Sequence, residues 1–244
     1  MSTIKEFQDE VQNNIRRLGE DSDVQAMSRI WGREVAPYKY TYNFRWMGRP
    51  IIQYPQDMIA MQEIVWEVKP DLIIETGIAH GGSLIYYASL LELLGGNGHV
   101  LGIDIDIRQH NRTEIEKHPM FKRITMFEGS SIDAKMVEKI RAFAANYKTI
   151  LLVLDSNHTH GHVLDELRLY SPLVTPGSYC VVFDTLIEDM PPGSFPDRPW
   201  DKGNNPKTAV WEFLKENSDF KIDKSIQDKL LITVAPDGYL KRVK

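Results

Sequence analysis

Five apolar runs punctuate the chain, and their endings limit what it can fold into. They are "DLIIETG" (71–77), "HVLGIDID" (99–106), "RITMFEG" (123–129), "TILLVLD" (149–155) and "SYCVVFD" (178–184), and each stops at an acid or a glycine. Near-continuous apolar runs of this length suit strands covered on both faces, the condition of a parallel sheet. The stretches between them have helical patterning: 82–95, a short one from Arg108 to His118, 132–147, and 162–174, which Pro176-Gly177 ends. Parallel neighbours need a crossover, usually a helix, so the alternation predicts an α/β fold with helices on both faces of a mostly parallel sheet. A Pro/Gly-rich loop (188–206) then leads to a helix (207–217) and to two late strands, "KIDKSI" (221–226) and "LLITVAPDGYLKRV" (230–243).

With 42% hydrophobic and 26% charged residues among 244, the chain can bury one sizeable core. The expected organisation is a helical, aromatic amino-terminal extension (1–50) followed by a single α/β domain (51–244). A formal charge of −5 without a long basic run argues against a nucleic-acid partner. The first residues are polar where a signal peptide would be apolar, and no window reaches the length of a membrane span, so a cytoplasmic protein is expected. Cys180, the single cysteine, lies in "YCVVF" and reads as a buried thiol.

The strand tips carry the chemistry. "ETGIAHGGS" (75–83) places Glu75 and Gly77 at the first tip, then Ala79, Gly81, Gly82 and Ser83 where the next helix starts. Glycines let backbone approach a ligand closely, and the unpaired N–H groups of a helix start attract an anion or carboxylate. The spacing is not that of a dinucleotide fingerprint. Asp104, at the second tip, stands where an acid accepts hydrogen bonds from ribose hydroxyls, or where it would cap a strand end. Ser130 and Ser131, in "EGSS", face an adenine edge or cap the following helix.

The succession "DLIIETGIAHGGS", "VLGIDID", "EGSS", "LDSNH" and "GSYCVVFD" resembles the S-adenosylmethionine-dependent O-methyltransferases of the cephalosporin hydroxylase family, from about Tyr42 through "APDGYL" (235–240). That resemblance implies a Rossmann-like class I methyltransferase with a seven-stranded, mostly parallel sheet containing one antiparallel strand. It implies S-adenosylmethionine as cofactor, with Glu75, Gly77, Ala79, Gly81 and Ser83 around the methionine moiety, Asp104 at the ribose, and Ser130 and Ser131 at the adenine. Asp155 would border the same pocket.

An O-methyltransferase must hold an alcohol oxygen in line with the sulfonium methyl and remove its proton. Asp155 and Asp184 end neighbouring strands and could share a magnesium ion, while His158 could take the proton. An acid followed three residues later by a histidine serves as metal ligand and base in a related macrolide-sugar methyltransferase, and Asp155 and His158 match that spacing. Relatives commonly carry Glu-Asp where this chain has Phe183-Asp184, so Ser156, Asn157, Thr185 or water would complete the shell. Against this stands a plain reading of His158, His160 and His162 as a polar loop entering a helix.

The expected function is methylation of a hydroxyl on a sugar or glycosylated natural product, in a homo-oligomer. The acceptor would be a small molecule or glycan, met by the loop after Asp184 and by the aromatic stretch 38–58, whose Tyr42, Phe44 and Trp46 suit core packing equally. Two alternatives remain at this point. One is a metal-dependent hydroxylase, for which no two-histidine, one-carboxylate pattern is visible on the strands; the other is a noncatalytic cofactor-binding partner.

Overall fold

The computed structural model describes residues 3–244. Two helices open it, α1 (Ile4–Glu20) and α2 (Ser22–Val35). A short hairpin follows, β1 (Phe44–Trp46) and β2 (Arg49–Ile51), and then α3 (Pro55–Val68). The alternating part consists of β3 (Leu72–Thr76), α4 (Gly82–Leu94), β4 (His99–Asp104), α5 (Gln109–Glu116), β5 (Ile124–Glu128), α6 (Ala134–Ala144), β6 (Ile150–Leu154), α7 (His160–Tyr170) and β7 (Tyr179–Val182). The chain closes with α8 (Pro206–Glu216), β8 (Phe220–Ile222), α9 (Lys224–Leu230) and β9 (Tyr239–Arg242).

Seven strands form one sheet in the order β5-β4-β3-β6-β7-β9-β8. Strands β3 to β7 are mutually parallel, and β9 runs antiparallel to both its neighbours. All five residues of β3 and all five of β6 are buried. Side chains alternate across the sheet. Ile73, Val100, Leu151, Val153, Val181 and Phe183 pack with α3, α4 and α9 on one face, while Leu72, Ile74, Leu101, Leu152, Cys180 and Val182 pack with α6, α7 and α8 on the other. The expected α/β sheet with helices on both faces is therefore present, and Cys180 is fully buried.

Several expected boundaries shift, for identifiable reasons. The late strands are much shorter than the patterning suggested. Residues 224–230 form α9, beginning where the Ser225 hydroxyl donates to Asp223 at 2.6 Å. Residues 233–235 leave the strand because their polar groups turn to a buried acid: Val234 N–H donates to Asp57 at 2.9 Å, and Thr233 also donates to it. Helix α6 starts at Ala134 under an Asp133 cap, whose carboxylate accepts from Lys135 N at 3.0 Å and Met136 N at 3.2 Å, so neither Ser130 nor Ser131 caps it. The first helix is followed by a second, α2, capped by Asp21. The β1–β2 hairpin crosses position 50/51 and lies on α4, with Trp46 Nε1 donating to Ser89 Oγ at 3.0 Å.

Candidate active site at the strand tips

In this strand order β3 and β6 are neighbours, and the chain moves outward from them in opposite directions. Ligands of open α/β sheets bind beyond the carboxyl ends of strands at such a point. A cavity of about 1000 Å³ opens there. Gly77, Ala79, Ser83, Asp104, Asp155, His158 and Asp184 line its inner wall; its outer wall comes from the amino-terminal segment and the loop after β7.

The turn from β3 to α4 is held from outside itself. Asp104 accepts from Ile78 N at 2.8 Å and Ala79 N at 3.2 Å, Asn111 donates to Ala79 O at 3.0 Å, and Arg49 donates to His80 O at 2.6 Å. These bonds keep Ala79 at φ 45°, which is unusual for a residue with a side chain. Gly77 has φ 93°, and a Cβ there would lie 2.1 Å from the Asp155 carbonyl oxygen, so only glycine lets β3 and β6 close on each other at this point. Helix α4 begins without a side-chain cap for its first N–H groups, and Gly82 and Ser83 of its first turn line the cavity.

Glu75 lies beneath this turn, fully buried. Its Oε2 accepts from Ser83 Oγ at 2.8 Å, and its Oε1 is buried without a partner. Burial, with a smaller contribution from the Asp104 charge, pushes its carboxyl up to about 8. An orphaned buried acceptor beside a glycine turn and an open helix start suits a zwitterionic amino acid, and so the methionine part of S-adenosylmethionine.

The second half of the site joins three tips. One ligand atom each from Asp155, His158 and Asp184 lie within 4.8 Å of one another. His158 Nε2 is 3.1 Å from Asp184 Oδ2. Burial raises the Asp155 carboxyl well above the usual range, and the charges of Asp184, Glu75 and Glu166 raise it further. Asp184 adopts φ 56°, a left-handed conformation that ends β7. The two carboxylates form a donor pair suited to a hard divalent cation with retained waters, with the imidazole close beside them. The set has one histidine and two acids, unlike the two-histidine, one-carboxylate iron pattern. Phe183 is buried in the core, on the opposite side of its strand from Val182, and contributes nothing to the set.

Other expected residues lie off the cavity wall. Gly81 is buried against Ile115. Ser130 does not line the cavity, and Ser131 is engaged elsewhere: its hydroxyl donates to Glu166 Oε1 at 2.6 Å, as does that of Ser156 at 2.8 Å, with His162 Nε2 3.1 Å from Ser131 Oγ. The Glu166–His162 pair sits one turn apart on α7, a spacing readable in sequence, but nothing there pointed to the serines. His160 and His162 belong to α7 rather than to a loop.

Two wall residues had no assigned part in the sequence reading. Trp200 meets His158 edge-to-face, with ring centres 4.6 Å apart and planes at 85°. Tyr54 has its hydroxyl pushed up to about 12 by burial and by the charges of Asp57 and Asp184, so it keeps its proton at neutral pH and is no base.

The family model described as rhamnosyl O-methyltransferase/CmcI matches residues 38–243, and the chain belongs to that family. The rhamnosyl O-methyltransferase of Mycobacterium tuberculosis (strain ATCC 25618 / H37Rv) is 33% identical over 204 residues, covering 81% of this chain and 77% of the relative. That of Mycobacterium leprae (strain TN) is 31% identical over 199 residues, with coverages of 81% and 82%. An apo structure of CmcI aligns with a TM-score of 0.61 at 20% identity, covering 83% of this chain and 77% of that one. A CmcI structure with Mg and SAM gives 0.60 at 20% identity, with coverages of 83% and 78%. These structural likenesses establish the Rossmann-like methyltransferase fold, and the family makes the protein an S-adenosylmethionine-dependent O-methyltransferase. No helix among the described residues is long and apolar enough to cross a membrane.

Proposed function

We propose that this enzyme methylates a hydroxyl of a sugar or of a glycosylated natural product, with His158 as general base and magnesium held by Asp155 and Asp184. The observation that carries the reading is the meeting of these three side chains within 4.8 Å on one cavity wall, beside the glycine turn that suits the methyl donor. The sugar acceptor is supported by the rhamnosyl specificity in the names of relatives at 31–33% identity.

The cofactor residues divide by chemistry. Glu75 and Ser83, with the open start of α4, would hold the amino acid end; Gly77 and Ala79 let backbone pass close beside it; Asp104 would meet the ribose with the lone pairs its backbone bonds leave free. A sugar hydroxyl is a weak acid, and a bound divalent cation would acidify it and orient its oxygen. S-adenosylmethionine, when bound, would supply the electrophilic methyl group; His158 is placed to accept the hydroxyl proton, and Asp184 to pair with the resulting imidazolium. Trp200 limits the rotation of that imidazole. Positioning and proton removal are the main demands of the reaction, and a placed base contributes about 10²–10⁴-fold.

The test is a mass-spectrometric screen of rhamnosides and other glycosides with S-adenosylmethionine and magnesium, reading the gain of one methyl group. A folded protein that binds the cofactor yet methylates no glycoside overturns the reading.

A further inference from the structure

We infer that the acceptor sugar carries a phosphate group, as in a glycosyl phosphate or a nucleoside-diphosphate sugar, and that Arg198 and Lys39 on the outer wall of the cavity receive it. This rests on the sugar-methyltransferase reading above and narrows its substrate class.

The outer wall is built from residues 32–42 and 50–54 and from the loop after β7, residues 186–200. Among the residues of these segments that line the cavity, the charged ones are Arg33, Lys39 and Arg198; Glu34, Glu188, Asp189 and Asp197 of the same segments do not line it. The whole chain has the opposite bias, with 34 Asp and Glu against 29 Lys and Arg, so a wall with only cations is not what its composition would supply. The acids of the cavity, Asp104, Asp155 and Asp184, all sit at the strand tips.

Two of the three cations have no carboxylate partner among the described residues. Arg33 is engaged with Glu34 at 3.1 Å. Lys39 and Arg198 instead rest on aromatic rings: Lys39 Nζ is 5.8 Å from the centre of Tyr42, and Arg198 Cζ is 5.3 Å from the centre of Trp200. A guanidinium supported on a ring keeps its donor edge available, and that planar fork matches two oxygens of a phosphate.

The two spans set an upper limit that one sugar can bridge. His158 and Trp200 have ring centres 4.6 Å apart, and Arg198 Cζ lies 5.3 Å from the Trp200 ring centre. The guanidinium is thus within the sum of those two spans of the imidazole, about the reach of one pyranose ring with its anomeric substituent. A hydroxyl placed at His158 would put an anomeric phosphate within range of Arg198, while a neutral glycoside would leave both cations solvated. The cavity, at about 1000 Å³, also stands at the upper end of small-molecule sites and has room for the cofactor and an extended acceptor.

The experiment compares kcat/KM for methyl rhamnoside, rhamnose 1-phosphate and a nucleoside-diphosphate rhamnose, at fixed free magnesium and saturating S-adenosylmethionine. We expect the phosphate-bearing acceptors to be preferred at least about tenfold, and the preference to shrink as salt is raised. Preference for the nucleotide form over the 1-phosphate, or the reverse, distinguishes the two sources of the phosphate. The Arg198→Ala/Lys39→Ala protein should lose most of this preference through KM while binding S-adenosylmethionine normally by calorimetry, and Arg198→Lys should restore part of it. Should the double variant misfold, salt dependence in the wild type carries the test. If the neutral rhamnoside is used as well as or better than the phosphates, the inference is overturned and the sugar-methyltransferase reading stands; if none of the three is methylated by protein that binds the cofactor, both fall.

Discussion

Replacing Glu75 with glutamine isolates one charge buried under the cofactor turn. The side chain is fully buried, Ser83 satisfies one of its oxygens, and the other has no partner. Burial raises its carboxyl from 4.5 to about 8, with Asp104 adding to the rise. An acid whose folded pKa lies above its unfolded value keeps its proton in the folded chain after the unfolded chain has lost it. The ligand-free protein is therefore fully stable, so far as this group matters, below about pH 4.5, and loses stability as pH climbs toward 8. At about 1.36 kcal/mol per pKa unit, the loss across that window has an upper bound of about 4–5 kcal/mol, and local relaxation should leave about 2–4.

Glu75→Gln keeps the shape and an oxygen for Ser83 while deleting the titration. Urea unfolding of both proteins at about pH 5, 7 and 9 should show their stability difference growing with pH in favour of the variant, because the shift at Asp57 is common to both and loss of the Glu75 charge also eases ionisation of Asp155, which acts in the same direction. The same charge should serve binding: a cationic amino acid group beside Glu75 favours its carboxylate, so cofactor binding near neutral pH should release a proton in the wild type and not in the variant. Parallel stability curves for the two proteins would refute the reasoning, since Glu75 would then titrate like an ordinary carboxylate.

Three further outcomes follow. His158→Ala should lower turnover by about 10²–10⁴-fold with cofactor affinity nearly kept, in single-turnover assays beside calorimetric titration; unchanged turnover would remove the base assignment. Asp155→Asn or Asp184→Asn should weaken the dependence of rate on magnesium, and full wild-type activity after exhaustive chelation would show that the two aspartates act without a cation. The exposed apolar side chains of α1 and α2, Ile4, Phe7, Met27 and Ile30, support a homo-oligomer, so sedimentation at micromolar concentration should show a species above the 28.1 kDa monomer, and a clean monomer would contradict it.

The sheet was legible because its central strands are covered on both faces and so appear as unbroken apolar runs; β3 and β6 are buried at every position. The strand tips that line the cavity followed, because an acid or glycine ending such a run must lie at the carboxyl edge. What misled was polar chemistry settled over long separations. Thr233 and Val234 look like strand residues, yet their groups go to Asp57, more than 170 positions earlier. Ser131 looks like an adenine contact or a cap, yet its hydroxyl is taken by Glu166, 35 positions later. Trp200 lies in an aperiodic Pro/Gly-rich loop, where no spacing announces which way an aromatic ring will turn.

The arrangement of acids explains why these tips are better built for ligands than for stability. Glu75, Asp155 and Asp184 come from three adjacent strands, β3, β6 and β7, and Glu166 from the helix packed on them; each of the other three charges opposes ionisation of Asp155. No lysine or arginine is paired with any of these four among the described residues, although Arg49 is close enough to hold the glycine turn through His80 O at 2.6 Å. A chain selected only for stability would place such a cation among them or exchange the acids for apolar residues, since crowded carboxyls without a cationic partner cost free energy. A cationic partner that would relieve this crowding is the charged methyl donor, and under the proposed function a divalent metal as well. On the proposed function, the repulsion that weakens the ligand-free fold becomes affinity for these partners, at the tips assigned there to deprotonating the acceptor oxygen.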